Sequence, residues 1–267
     1  MGMRMNKVIV TLAAALVMTL GGGIASAQNS LAWDGFYAGL GVGGASTNVC
    51  SRSTLKGGSI DPTTTTFSSC PSGGIVGGLQ VGENFQTNRL VWGIGGDLDF
   101  MSSKDNNHPL NFSGPAPPAG TYGSAGRVSP KYLALVGARI GYAGDLVMPF
   151  LRAGGAFALG SQNSSLNYTP VGAAVPAASF SEGKSFASTG WAAGGGVEIG
   201  LNGAWSITAE YLHLSLGKSA NSTTACAGTA TACAPFAGIS LDNTHDAFTS
   251  NIFRIGINYW FNYWDKP

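Results

Sequence analysis

The stretch GWAAGGGVEIGLNGAWSITAEYLHLSLG, residues 190–217, is apolar and glycine-rich, yet each half carries a carboxylate, Glu198 and Glu210. A short break at residues 202–204 divides the halves, and in each half apolar side chains recur at every second position. Period two is the signature of a strand whose faces meet different surroundings. Trp191, Ala193, Val197 and Ile199, then Trp205, Ile207, Ala209 and Tyr211, fall on one face, and the two glutamates fall on the other. A hairpin of this kind needs an apolar medium on one side and partners for buried carboxylates on the other.

The same texture recurs along the chain. Eight strand segments are expected, roughly over 35–46, 74–85, 90–101, 131–143, 148–159, 189–201, 205–216 and 252–261. Tight connections at 86–89, 144–147 and 202–204 alternate with stretches of more than twenty residues near 47–73, 102–130, 160–188 and 217–251. Long connections at every second position all lie at one end of an up-and-down sheet. The expected fold is therefore all-β: an eight-stranded antiparallel up-and-down transmembrane β-barrel with four long surface loops. Closure follows from the medium, because an open sheet edge in lipid leaves N–H and C=O groups unpaired at several kcal/mol each. The first strand must then pair with the eighth.

Composition agrees. Charged residues make up 10% of the 267 positions, well below the roughly 25% of soluble domains. Glycine, at 41 residues, is about twice as frequent as usual. A formal net charge of +1 without a basic stripe argues against nucleic acid as a partner. Arg4 and Lys7, the apolar run 8–20 and Ala25-Ser26-Ala27 read as a signal peptide over residues 1–27, leaving 28–267 as the exported barrel domain. Four cysteines in an exported chain favour disulfides. Cys50 with Cys70 and Cys226 with Cys233 is the most local pairing, and a bridge between the first and last long loops is the alternative.

The inward face of the expected barrel collects Asp97, Asp99, Glu198 and Glu210 with Lys131, Arg139, Arg152 and Arg254, four acids and four bases. They read as one interior ion-pair network, and inward glycines make room for the long side chains in a narrow tube. Trp33, Phe36, Phe85, Trp92, Phe150, Trp205, Tyr259 and Phe261 lie near the short-turn end, with Phe150 inward by register, and Phe100, Tyr132 and Tyr211 nearer the other, as two interfacial aromatic bands.

With these elements in place, the chain resembles the small eight-stranded outer-membrane porin-family proteins of alphaproteobacteria, related in fold to the OmpA barrel. The resemblance rests on WDGFYAGLGVGG (33–44), GGLQVGENFQ (77–86), WGIGGDLDF (92–100), VGARIGYAGDLVMPFLRAGGAFA (136–158), residues 190–217 and the terminal RIGINYWF (254–261). It covers every expected strand and none of the long loops. It implies an envelope protein located in the cell outer membrane, without catalytic residues to carry over. It also implies an aromatic assembly signal, here Phe261, read by the barrel-assembly machinery. Outer-membrane lipid and lipopolysaccharide are the expected surroundings, and the loops would meet host or surface ligands.

Three motifs compete with this reading. Gly39–Gly44 matches the G-x-G-x-x-G dinucleotide pattern, but the loop sequence ASTNVCSRS follows where a helix is required, so no cofactor is expected. Glu198 with Glu210 suggests glycoside hydrolysis, but a narrow barrel leaves no room for a sugar chain. His213 and Ser215 share a strand face and resemble the His/Ser pair of outer-membrane lipid A deacylases, although leucine follows this serine where asparagine is expected. The expected function is a structural and surface-interaction role with a filled interior. The alternatives are a narrow porin for small solutes and, third, a lipid-modifying enzyme using His213 and Ser215.

Overall fold

A computed structural model describes residues 33–48, 51–56, 66–69, 73–103, 110–114, 120–170, 178–201, 204–217, 222–225, 240–245 and 248–261. The expected signal peptide (1–27) and all four cysteines, Cys50, Cys70, Cys226 and Cys233, lie outside these residues.

Thirteen strands occur among the described residues: β1 (Gly35–Asn48), β2 (Ser51–Lys56), β3 (Thr66–Ser69), β4 (Gly74–Thr87), β5 (Leu90–Ser103), β6 (Leu110–Gly114), β7 (Gly120–Tyr142), β8 (Val147–Pro170), β9 (Ala178–Gly200), β10 (Trp205–Leu216), β11 (Ser222–Ala225), β12 (Ser240–His245) and β13 (Phe248–Trp260). Eight of them, β1, β4, β5, β7, β8, β9, β10 and β13, form a closed antiparallel barrel. Closure is made by β1 and β13, in register from Tyr37↔Trp260 to Asn48↔Thr249. No barrel strand is left with an open edge at membrane depth, which lipid demands.

The alternation of side chains separates two environments. Val42, Ile75, Val136 and Leu151 point outward and are more than 60% exposed. In water this belt would be a large exposed apolar patch. In a bilayer it is the lipid-facing surface of a barrel. Inward positions such as Leu133, Glu198 and Leu214 are fully buried. At the end with tight connections, β4 and β5 are joined by Asn88 and Arg89 alone, with Thr87 opposite Leu90. Asn88 sits at φ 55°, a left-handed conformation that asparagine tolerates because its short polar side chain bonds locally.

The long connections carry more order than the sequence suggests. β7, β8 and β9 continue well past the barrel wall, pairing as far as Gly120↔Pro170 and Tyr168↔Ala178. There both faces are polar or glycine-rich, so no alternation marks the strand. In addition, β2 and β3 of the first long connection join β11 and β12 of the last in one four-stranded sheet. The link is the β2–β12 ladder, Ser51↔His245 to Lys56↔Ser240, made possible because closure brings β1 and β13 side by side.

Candidate functional site: the barrel interior

The lumen is built in three layers. The middle layer is polar, and its charged members rest on β5, β7, β8, β9, β10 and β13. Arg254 of β13 is its hub, 3% exposed at the side chain. Its Nε donates to Glu210 Oε1 at 2.6 Å, Nη1 donates to both Asp99 oxygens at 3.0 and 2.9 Å, and Nη2 donates to Asp97 Oδ1 at 2.8 Å. Arg152 of β8 bonds Asp97 as well, and its Nη1 lies 3.3 Å from Glu210 Oε2. Two guanidinium groups thus share three carboxylates. A second group sits beside the first: Arg139 Nη2 donates to Glu198 Oε2 at 2.7 Å. Glu198 Oε1 also accepts from Ser206 Oγ at 2.6 Å and from Asn258 Nδ2 at 2.9 Å. Asn258 in turn accepts from Gln80, and Trp260 Nε1 donates to Ser206 Oγ at 3.0 Å. Each buried carboxylate thus meets a cation or several donors, the condition for charges to persist out of water.

The inward glycines are spatially necessary here. A Cβ on Gly41 would lie 2.9 Å from Arg254 Cδ, and one on Gly78 would lie 2.6 Å from Asp99 Oδ1. Both distances are shorter than a side chain tolerates, so small residues on β1 and β4 admit long ones from β13 and β5.

Seven of the eight charged residues expected inside lie in this layer. Lys131 does not, and the expectation is corrected. Pro130 pairs with Gly160 and Tyr132 with Leu159, leaving Lys131 as the extra residue of a β-bulge. The bulge breaks period two, and Lys131 is exposed. Pro130, which has no N–H for the ladder, sits at this irregularity, a position where strands accept proline. Sequence reasoning also missed the uncharged members, Gln80, Ser206, Thr208 and Asn258. Their inward register was the available signal.

Apolar layers lie on both sides of the polar one. Towards the long connections, Ala45, Val76, Leu133, Leu135, Ala156, Ala192, Leu212, Leu214 and Ile252 pack in one cluster, with Met101 of β5 against it. All eight barrel strands contribute, so the cluster crosses the lumen. Towards the tight turns, Trp33, Tyr37, Val91, Ala143, Met148 and Trp260 form the second. Trp33 was expected in an aromatic band, but it is 2% exposed and caps the lumen. Its backbone N–H donates to Gln86 Oε1 at 2.7 Å, its Nε1 donates to Gly144 O at 3.4 Å, and its ring meets Trp260 edge-on at 6.0 Å. Phe150 points inward, as its register gives, with the Arg139 guanidinium 4.3 Å above its ring.

The outer aromatics form two bands. Near the tight turns, Phe85 stacks on Trp92 at 4.5 Å and Trp205 meets Tyr259 at 5.0 Å. Phe261 follows β13, packs on Phe36 at 5.4 Å and donates its N–H to Phe36 O at 3.0 Å. Near the other end, Phe100 contacts Tyr132 at 5.4 Å and Trp191 contacts His213 at 5.6 Å. His213 and Ser215 both lie on the outer face. His213 Nδ1 is 2.9 Å from Asn251 Oδ1, which also accepts from Tyr211 Oη at 2.7 Å. The imidazole is thus oriented by an amide on β13, directly opposite in register. The glycine motif 39–44 lies inside β1, and the next described element is β2 rather than the helix that a phosphate would need.

A family model described as outer membrane protein beta-barrel domain matches residues 12–261. The 31 kDa outer-membrane immunogenic proteins of Brucella melitensis biotype 1 and Brucella suis biovar 1 are each 28% identical over 204 residues, covering 73% of this chain and 75% of theirs. Among solved structures, Neisserial surface protein A is similar with a TM-score of 0.37 at 13% identity, over 85% of this chain and 97% of that one. OprG from Pseudomonas aeruginosa is similar with a TM-score of 0.40 at 8% identity, over 85% and 97%. The family match spans all eight barrel strands, and the chain belongs to the outer membrane protein beta-barrel domain family, as a protein of the outer membrane.

Proposed function

We propose that this barrel is a plugged, non-catalytic protein with a structural and surface-interaction role in the outer membrane. The observation that carries the reading is the layered lumen: a buried ion-pair network held between two apolar clusters, one of them contributed by all eight strands. Water and ions crossing such a lumen would leave hydration at each apolar layer. The orientation of His213 by Asn251 supports a place in the aromatic band rather than in a His/Ser catalytic pair. The surface-interaction part rests on the long connections. They are reinforced by the β7–β9 extension and by the sheet that joins the first loop to the last, which suits them to display a fixed surface to ligands. Two relatives are named as immunogenic outer-membrane proteins, in keeping with such display. Outer-membrane lipid and lipopolysaccharide would contact the belt and its upper band, and the assembly machinery would engage Phe261.

Single-channel recording of the refolded barrel in a planar bilayer tests this reading. The wild type should conduct little or not at all. A steady ohmic conductance, unchanged by Glu198→Ala or Arg139→Ala, would overturn the plug and establish the narrow-porin alternative, in which the inward glycines line an open path.

A further inference from the structure

At the level of Arg139 the inward positions of β5 are Gly93 and Gly95, which supply no side chain, and the Asn84 amide and the Tyr37 hydroxyl lie over them. Cross-strand register places Asn84 of β4 opposite Gly93, and Gly93 opposite Arg139 of β7. Asn84 and Arg139 therefore flank the same glycine in one row. Asn84 is 1% exposed. Its Oδ1 and Nδ2, and Arg139 Nε, are the buried side-chain atoms without a hydrogen-bond partner among the described residues. The three orphans thus share a single row around a residue with no side chain.

Buried amide and guanidinium groups are rarely left unpaired, because the desolvation of each is then uncompensated. We infer that the barrel holds a resident water site in this row, beside the Tyr37 hydroxyl, bridging the Asn84 amide and Arg139 Nε. The orphan set selects the ligand. It offers two kinds of donor, Nδ2–H and Nε–H, and one acceptor, Oδ1. A cation would face the Arg139 guanidinium. An anion would face Asn84 Oδ1 and the Glu198 carboxylate already bound to Arg139. Water both donates and accepts, and about one or two molecules suffice to span two inter-strand spacings. The bridge ties β4 to β7 where β5 contributes nothing, extending the ion-pair network around the barrel. The Trp33–Trp260 cap lies on the tight-turn side, so exchange with bulk water requires opening of the barrel end. The site holds whether or not the loops bind a ligand, so it goes beyond the surface role proposed above.

Oxygen-17 magnetic relaxation dispersion on the refolded protein detects water that stays longer than the tumbling time. The wild type should show a long-lived contribution, and Asn84→Leu should lose the equivalent of at least one water. A wild type without long-lived water, or an Asn84→Leu variant with undiminished amplitude, overturns the inference. Should Asn84→Leu fail to fold, a high-resolution crystal structure of the wild type decides: density within hydrogen-bonding distance of both Arg139 Nε and the Asn84 amide is expected, and a dry site refutes the bridge.

Discussion

Replacing Arg254 with methionine removes the guanidinium while keeping most of the stem. Arg254 is Asp99's ion-pair partner among the described residues, and it shares Asp97 and Glu210 with Arg152. With Arg254 present, two cations face three carboxylates; without it, Arg152 alone faces three. Breaking a buried pair by removing one partner costs about 3–5 kcal/mol, because the other charge stays desolvated. That is about two to three and a half orders of magnitude in the folding equilibrium, at roughly 1.4 kcal/mol per tenfold. Urea titration of the barrel in lipid vesicles, followed by tryptophan fluorescence, reads the loss directly, since the chain carries six tryptophans. The charge account makes a second demand. Asp99→Asn in the Arg254→Met background should recover part of the loss, with a coupling of about 1–3 kcal/mol. A single-variant loss below about 1 kcal/mol, the range of exposed pairs, would show that water already reaches these groups and would refute the sealed network. No recovery in the double variant would show that packing of the arginine stem, rather than its charge, is what the barrel needs.

Three further outcomes are expected. Trp33→Ala should destabilise the barrel by about 3–5 kcal/mol, as deletion of a buried aromatic does, and should raise whatever conductance exists; an unchanged urea midpoint would remove Trp33 from the cap. With both termini and the tight turns on the periplasmic side, protease added to intact cells should cut only in the long connections, and cleavage at Asn88–Arg89 would refute that orientation. Non-reducing peptide mapping should recover Cys50 joined to Cys70, the residues that flank the register pair Ser51↔Ser69, and Cys226 joined to Cys233. Each loop closure should contribute about 2–4 kcal/mol, and four free thiols in the exported protein would refute both bridges.

The architecture is legible in the sequence because lipid imposes a simple rule. With hydrocarbon outside and filled space inside, period two sorts every barrel residue to a face. Glu198, Glu210 and Arg254 are inward for the same reason that Val136 and Leu151 are outward. Alternating connection lengths fix the up-and-down order, and the absence of tolerable edges in a bilayer forces β1 onto β13. Three things were not decided there. Where both faces are wet, as along the outer halves of β7 to β9, alternation carries no signal, so strands read as loops. Where one residue is inserted, as at Lys131, the register shifts and a nominally inward charge leaves the lumen. Which cation meets which carboxylate depends on side chains converging from strands far apart in the chain: Arg254 reaches Asp97 and Asp99 more than 150 residues away. Trp33 is the same case. Its sequence context marks an interfacial aromatic, but just before β1 its ring meets Trp260 edge-on inside the lumen, and only the closed barrel has an end to cap.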